Sequence, residues 1–257
     1  MLWLKWKLMV TTLPFVAVIT GIRILLHYKV GFEGVVEFSD VGVVLTGAVF
    51  LTGFLLAGTM ADYKESEKLP GELANSLDTM DEYLQLCARV KPQSVNGKEM
   101  RAHVLALTDR IRDWLLKKAT VNEVYALLTK MNAVIAQLDA AGASSYGSRV
   151  APEVVNVRKS VIRIDVISRT GFLPPAYALL EVLLTMILAL LMASKFKSQI
   201  AEFILVPFVS LVNLYMLRLI RDIDDPFDYA SDGAKRGGAE VDLFPIDEFR
   251  QRLNARE

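Results

Sequence analysis

Residues 41–60 read VGVVLTGAVFLTGFLLAGTM, a run without a single charge. A helix of about 20 apolar residues matches the hydrocarbon thickness of a bilayer. Three further segments share this character: 8–26 (LMVTTLPFVAVITGIRILL), 172–193 (FLPPAYALLEVLLTMILALLMA) and 200–220 (IAEFILVPFVSLVNLYMLRLI). The mean hydropathy of +0.35 and the 53% hydrophobic content exceed what an ordinary soluble domain shows. Charged residues still make up 23%, so the apolar excess is segregated into these four segments. Prolines at 14, 174, 175 and 207 do not exclude spans, because bilayer helices tolerate proline better than soluble ones. Lys5 and Lys7 precede the first segment as in a signal peptide, but its apolar part is long and AVITG is a poor cleavage site. A retained first span is expected.

Residues 61–171 have a different character, rich in charge and in helical periodicity. Leu73, Leu77, Met80, Leu84 and Cys87 recur at alternating steps of four and three, which places them on one helix face. Met100, Val104, Leu107, Ile111 and Trp114 repeat the rule. After Thr120, with Glu123 in the capping-box position, so do Val121, Val124, Leu128, Met131, Ile135 and Leu138. Residues 152–169 are rich in Val and Ile, yet Val154, Val157, Val161 and Ile164 keep the helical step, so a fourth helix is expected there. The stripes read as the core of a helical bundle, since no His, Cys or carboxylate cluster accompanies them. The expected fold is an all-α integral membrane protein: spans one and two in 1–60, a cytosolic helical domain in 61–171, spans three and four in 172–220, and a cytosolic C-terminal segment in 221–257.

The net charge is zero, which gives no reason to expect a nucleic-acid partner. His27 and His103 stand alone, Cys87 is the single cysteine, and there is no nucleophile elbow, phosphate loop or zinc spacing. No enzyme activity and no required cofactor are expected. Lys5, Lys7, Lys64, Lys68, Arg149, Arg158, Lys159, Arg163, Arg169, Arg218 and Arg221 fall on one side of the four spans. Only Lys29, Lys195 and Lys197 fall on the other. The basic side is the cytoplasmic one by the positive-inside rule. Both termini then lie inside a cell (inner) membrane crossed four times.

Three stretches resemble the bestrophins, a family of oligomeric ion channels with four spans and a large cytosolic helical part. TGAVFLTGFLLAGTMADYKESEKLPGEL (46–73) is similar to the family's pore-lining second span and its cytosolic continuation. LPPAYALLEVLL (173–184) is similar to the segment entering the third span. RDIDDPFDY (221–229) with DLFPIDEFRQRL (242–253) resembles the acidic segment and the helix after the fourth. The family's Arg-Trp-Trp is absent, with Ala61-Asp62-Tyr63-Lys64 in its place. That fits a divergent, prokaryotic branch. The resemblance implies a homo-oligomer, a pentamer, passing small inorganic ions, chloride or other monovalent anions favoured. The alternative is a membrane-anchored structural or signalling protein whose bundle recruits partners.

Candidate sites follow. Thr46, Phe50 and Phe54 are spaced four apart and would stack as rings in a symmetric oligomer; the resemblance places the pore neck here. The two flanking motifs disagree by one residue, which leaves Leu45, Val49 and Gly53 as a rival stripe. The resemblance puts the cytosolic aperture at Leu173. Glu181 lies roughly 10 Å into the third span at about 1.5 Å per residue, so it is expected to be paired or protonated. Arg23 is expected to snorkel to the surface, and Asn213 and Tyr215 to join helices. Asp222, Asp224, Asp225 and Asp228 match the calcium clasp of calcium-gated relatives, which makes calcium a possible ligand.

Overall fold

A computed structural model describes residues 2–170, 174–230 and 237–256. In chain order the elements are α1 (Leu2–Val30), β1 (Val36–Glu37), α2 (Phe38–Ser66), α3 (Leu69–Val90), α4 (Gly97–Leu115), α5 (Val121–Ala140), α6 (Ser144–Arg169), α7 (Pro174–Ala193), β2 (Ser194–Lys195), α8 (Gln199–Asp224) and α9 (Phe244–Ala255). They form two compact units.

The first unit contains α1, β1, α2 as far as Tyr63, α7, β2 and α8. Among the described residues, four helices are long and apolar enough to cross a membrane. In α2, α7 and α8 one face packs inward: Ala48, Ile187, Leu191, Val206 and Val209 form one buried cluster, and Leu180, Leu217 and Ile220 another. α8 also packs along α1. Only 17% to 33% of each apolar window is buried within the chain. The remaining apolar surface must meet lipid or other subunits, because water would penalise it.

The second unit holds α3 to α6 with α9. α3 packs on α4 and α6, α5 packs on α4 and α6, and α9 lies against α3 and α4. Leu73, Leu77, Met80, Leu84 and Cys87 are all buried, as are Val154, Val157, Val161 and Ile164 of α6. The Val/Ile-rich segment is therefore a helix, and it begins at Ser144, ahead of Pro152. At Thr120 both halves of the capping box form, with Glu123 Oε1 accepting from the Thr120 backbone N–H at 3.0 Å. α9 inserts Ile246, Phe249 and Leu253, each fully buried. Salt bridges flank it: Arg112 to Asp247 at 2.5 Å, Arg252 to Asp78 at 3.1 Å, and Arg250 to Asp109.

α2 continues helically through Ala61-Asp62-Tyr63-Lys64-Glu65-Ser66. The turn falls at Glu67 and Lys68, and Leu69-Pro70 open α3 rather than interrupting it. Proline suits a first helical turn, where its missing N–H would have no intrahelical acceptor.

Candidate functional site

The face of α2 turned away from the buried clusters carries Val43, Phe50 and Phe54. Phe50 is 76% exposed and Phe54 68%. Thr46 is exposed on the same face, with its hydroxyl donated to the Gly42 carbonyl at 2.8 Å. This leaves a wall that is apolar and aromatic, without charge from Val41 to Met60. Of the rival stripe, Leu45 packs against the Ala48 and Ile187 cluster, Gly53 is half-buried and Val49 is exposed. Leu173 lies outside the described residues.

Charged side chains tie α7 to α8. Arg221 Nη2 donates to Glu181 Oε1 at 2.5 Å. Its guanidinium also lies over the Tyr177 ring, 5.9 Å from the centroid. Tyr177 donates its hydroxyl to Asp224 Oδ2 at 2.8 Å.

At the other end of the unit Arg23 is 1% exposed, which corrects the expectation that it snorkels. Nε donates to Glu202 Oε1 at 2.6 Å, Nη1 to the Met192 carbonyl at 2.6 Å, and Nη2 to the Ser194 carbonyl at 2.8 Å. The α7 C-terminus would otherwise leave its last carbonyls orphaned. Ser194 Oγ serves Leu190, Arg23 serves Met192, and the Val35 N–H serves Ala193. His27 Nδ1 faces Glu202 Oε2 at 3.6 Å, too far for a hydrogen bond. At Gly34, with φ +103°, an added Cβ would sit 2.4 Å from the Ser194 carbonyl oxygen, so this close approach requires glycine. Asn213 turns its amide onto the Val209 carbonyl of its own helix, not onto a neighbour. Neither arginine contact with a distant carboxylate was read from the sequence. The available signal was two opposite charges, Arg23 and Glu202, near matching ends of spans that run antiparallel.

The aspartates after the fourth span accept hydrogen bonds from protein groups. Asp224 accepts from Tyr177, Asp222 from the Gly238 N–H at 3.0 Å, and Asp228 from Lys117. Among the described residues no group of three or more His, Cys, Asp or Glu is arranged to hold a metal ion. Calcium takes six to eight oxygens.

Helices of this length and apolarity, in this arrangement, define a membrane protein of bestrophin-like fold. A crystal structure of a bacterial bestrophin homologue from Klebsiella pneumoniae is similar with a TM-score of 0.77 at 12% identity, over 96% of this chain and 97% of that one. A variant of that homologue gives 0.76 at 13% identity, over 96% and 97%. A structure described as a membrane protein gives 0.77 at 13%, over 97% and 98%. No family model matches the sequence, and no curated protein matches it.

Proposed function

We propose that the chain is one subunit of a homo-oligomeric ion channel whose central pore is lined by α2, with Thr46, Phe50 and Phe54 at the neck. The observation that carries this reading is the uncharged α2 face, on which two aromatic rings stand largely exposed within the chain. A helix this apolar needs no exposed aromatic stack for its own packing, whereas copies arranged about an axis would turn the rings into a narrow constriction. Such a ring excludes water without any charge, and so sets a barrier to hydrated ions. The rims of aromatic rings carry partial positive charge, so edges facing the axis favour small anions such as chloride over cations. Five copies are the expected number, and Leu173 is the expected second constriction at the cytoplasmic exit. The fold shared with bacterial bestrophin homologues supports the same reading.

The experiment is ion flux in liposomes containing purified protein, normalised to assembled particles whose mass is measured in detergent. Phe50→Ala and Phe54→Ala are each expected to raise flux while the particle keeps its mass, because a lost ring widens and wets the neck. If Leu45→Ala or Val49→Ala raises flux instead, the neck belongs to the other stripe. A monomeric particle without flux overturns the channel and favours a membrane anchor for the bundle.

A further inference from the structure

His27 leaves one ring nitrogen unused at the end of the first unit where Arg23 meets α8. Its Nδ1 is shielded from solvent and has no hydrogen-bond partner among the described residues. Glu202 Oε2 faces it at 3.6 Å, while Glu202 Oε1 takes the Arg23 Nε at 2.6 Å. One oxygen of the carboxylate is therefore engaged by a cation, and the other is turned toward an imidazole that stands beyond hydrogen-bond reach. The cavity that these side chains line measures about 10 Å³, with Thr20 and Phe203 also in its walls. A space of that size admits one water at most, so no larger ligand fits. The His27 side chain is 24% exposed, so protons reach the ring although Nδ1 itself is covered.

Histidine is the side chain whose charge ordinarily changes between about pH 5 and 8. A neutral ring brings no charge to Glu202, and at this separation its nitrogen adds little. In the protonated ring both nitrogens are donors, and Nδ1 then directs a charged N–H at a carboxylate oxygen. The other ionisable groups around the ring are few. α8 supplies Glu202; α1 supplies Arg23, Lys29 and Tyr28, whose ring meets the imidazole edge-on at 5.0 Å; β2 supplies Lys195, which turns to Glu33 at 3.8 Å. Arg23 opposes a second positive charge. Its own charge, however, is already shared among Glu202 Oε1 and the Met192 and Ser194 carbonyls, whereas Oε2 lies directly before Nδ1. Coulombic energy falls with distance, so attraction to the nearer carboxylate oxygen prevails.

We propose that His27 and Glu202 form a proton-operated latch between α1 and α8. Acidification places a proton from solvent on the imidazole and draws its Nδ1–H onto Glu202 Oε2, so that the carboxylate bridges His27 and Arg23. Because Arg23 also holds the Met192 and Ser194 carbonyls, the same step tightens α1, α8 and the end of α7 together. The charged ring has this partner only in the folded chain. The stability it adds is therefore present in acid and lost as pH rises through the range in which histidine titrates. The latch sits at the end of the unit that carries β1 and β2, and it responds to the compartment which that end faces. It is independent of where the pore lies.

The test is thermal melting of the full chain in detergent at about pH 5.5 and about pH 8. A His103→Gln background leaves His27 as the one histidine of the chain. The margin by which this parent melts above His27→Phe is expected to grow by about 2 to 4 °C from the higher pH to the lower. With Glu202→Gln present in both chains the growth should vanish, because an amide offers the imidazolium no charge. A margin that stays constant between the two pH values overturns the latch. So does a margin that shrinks in acid, where Arg23 would be repelling the charged ring, or one that grows equally with Glu202→Gln. Should His27→Phe not fold, NMR of the parent carrying isotope-labelled histidine decides at the lower pH. There the Nδ1 proton is expected to exchange more slowly than the Nε2 proton; equal exchange of the two overturns the proposal.

Discussion

Arg23 shows how one side chain can organise an end of the membrane unit. All three of its nitrogens are committed, one to a carboxylate and two to backbone carbonyls, and its flat face lies 5.6 Å from the Phe196 ring centroid. Lysine could not replace it, since a single ammonium lacks the fork that reaches two helix-end carbonyls and Glu202 together. The two halves of the pair are not equivalent. In Glu202→Gln the arginine still caps Met192 and Ser194, and an amide oxygen still faces Nε. In Arg23→Met, Glu202 is left as an unpaired, largely buried charge and two carbonyls lose their donor, for which breaking a buried pair costs about 3 to 5 kcal/mol. Thermal melting in detergent is therefore expected to rank wild type above Glu202→Gln, with Arg23→Met far below both. An equal or inverted order would show that the carbonyl contacts contribute little.

At the scale of elements, the link between the end of α2 and α6 carries a sign that can be worked out. The hydrogen bond from Arg163 is the largest influence on Glu65 and holds its carboxyl below the usual range, against a smaller opposing effect of burial. A depressed carboxylate contributes stability that is complete above its unfolded value and disappears as pH falls through the lower, folded one. Both partners are more than a third exposed, so solvent screens the pair to about 1 kcal/mol or less. The melting temperature of Glu65→Gln should thus lie slightly below wild type at neutral pH and merge with it on acidification. A gap that widens in acid would refute the assignment. The helices themselves were legible in the sequence because a period of 3.6 leaves a visible apolar stripe, and Leu73 to Cys87 are buried as that stripe requires. Their ends were less so: Pro70 reads equally as a break or as a first turn, and only the backbone course distinguishes them. The stripes also drift. Val134 and Leu115 are buried where Ile135 and Trp114 were expected, because a helix face is wider than one residue. The Arg23 contact with Glu202 joins residues 179 apart, and no local pattern encodes it.

For the whole molecule, the contacts of the first unit fix which ends of its helices belong together. Arg218 of α8 donates to the Thr11 carbonyl of α1 at 2.6 Å, while Arg23 of α1 meets Glu202 of α8, so α1 and α8 are antiparallel and clamped at both ends. β1 precedes α2, β2 follows α7, and the two pair in parallel through Val36 with Ser194 and Glu37 with Lys195. The short connections 31–37 and 194–198 therefore share one end of the unit. That end holds Lys29, Lys195 and Lys197 beside Glu33, Glu37 and Asp40, whereas Lys7, Arg218 and Arg221 lie toward the other. The balance of basic residues predicts that the connections face outward and the chain termini inward. A chain that crosses once in α2 leaves the residues after it on the inner side. Cysteines placed at Ser39 and Ser198, both exposed, are expected to react with a membrane-impermeant thiol reagent in intact cells, and one at the exposed Ser94 only after lysis. The native Cys87 is fully buried and burial pushes its thiol up, so it should remain unlabelled and leave a clean background. Labelling of Ser94→Cys in intact cells, with Ser39→Cys and Ser198→Cys protected until lysis, would invert the orientation and place the bundle outside.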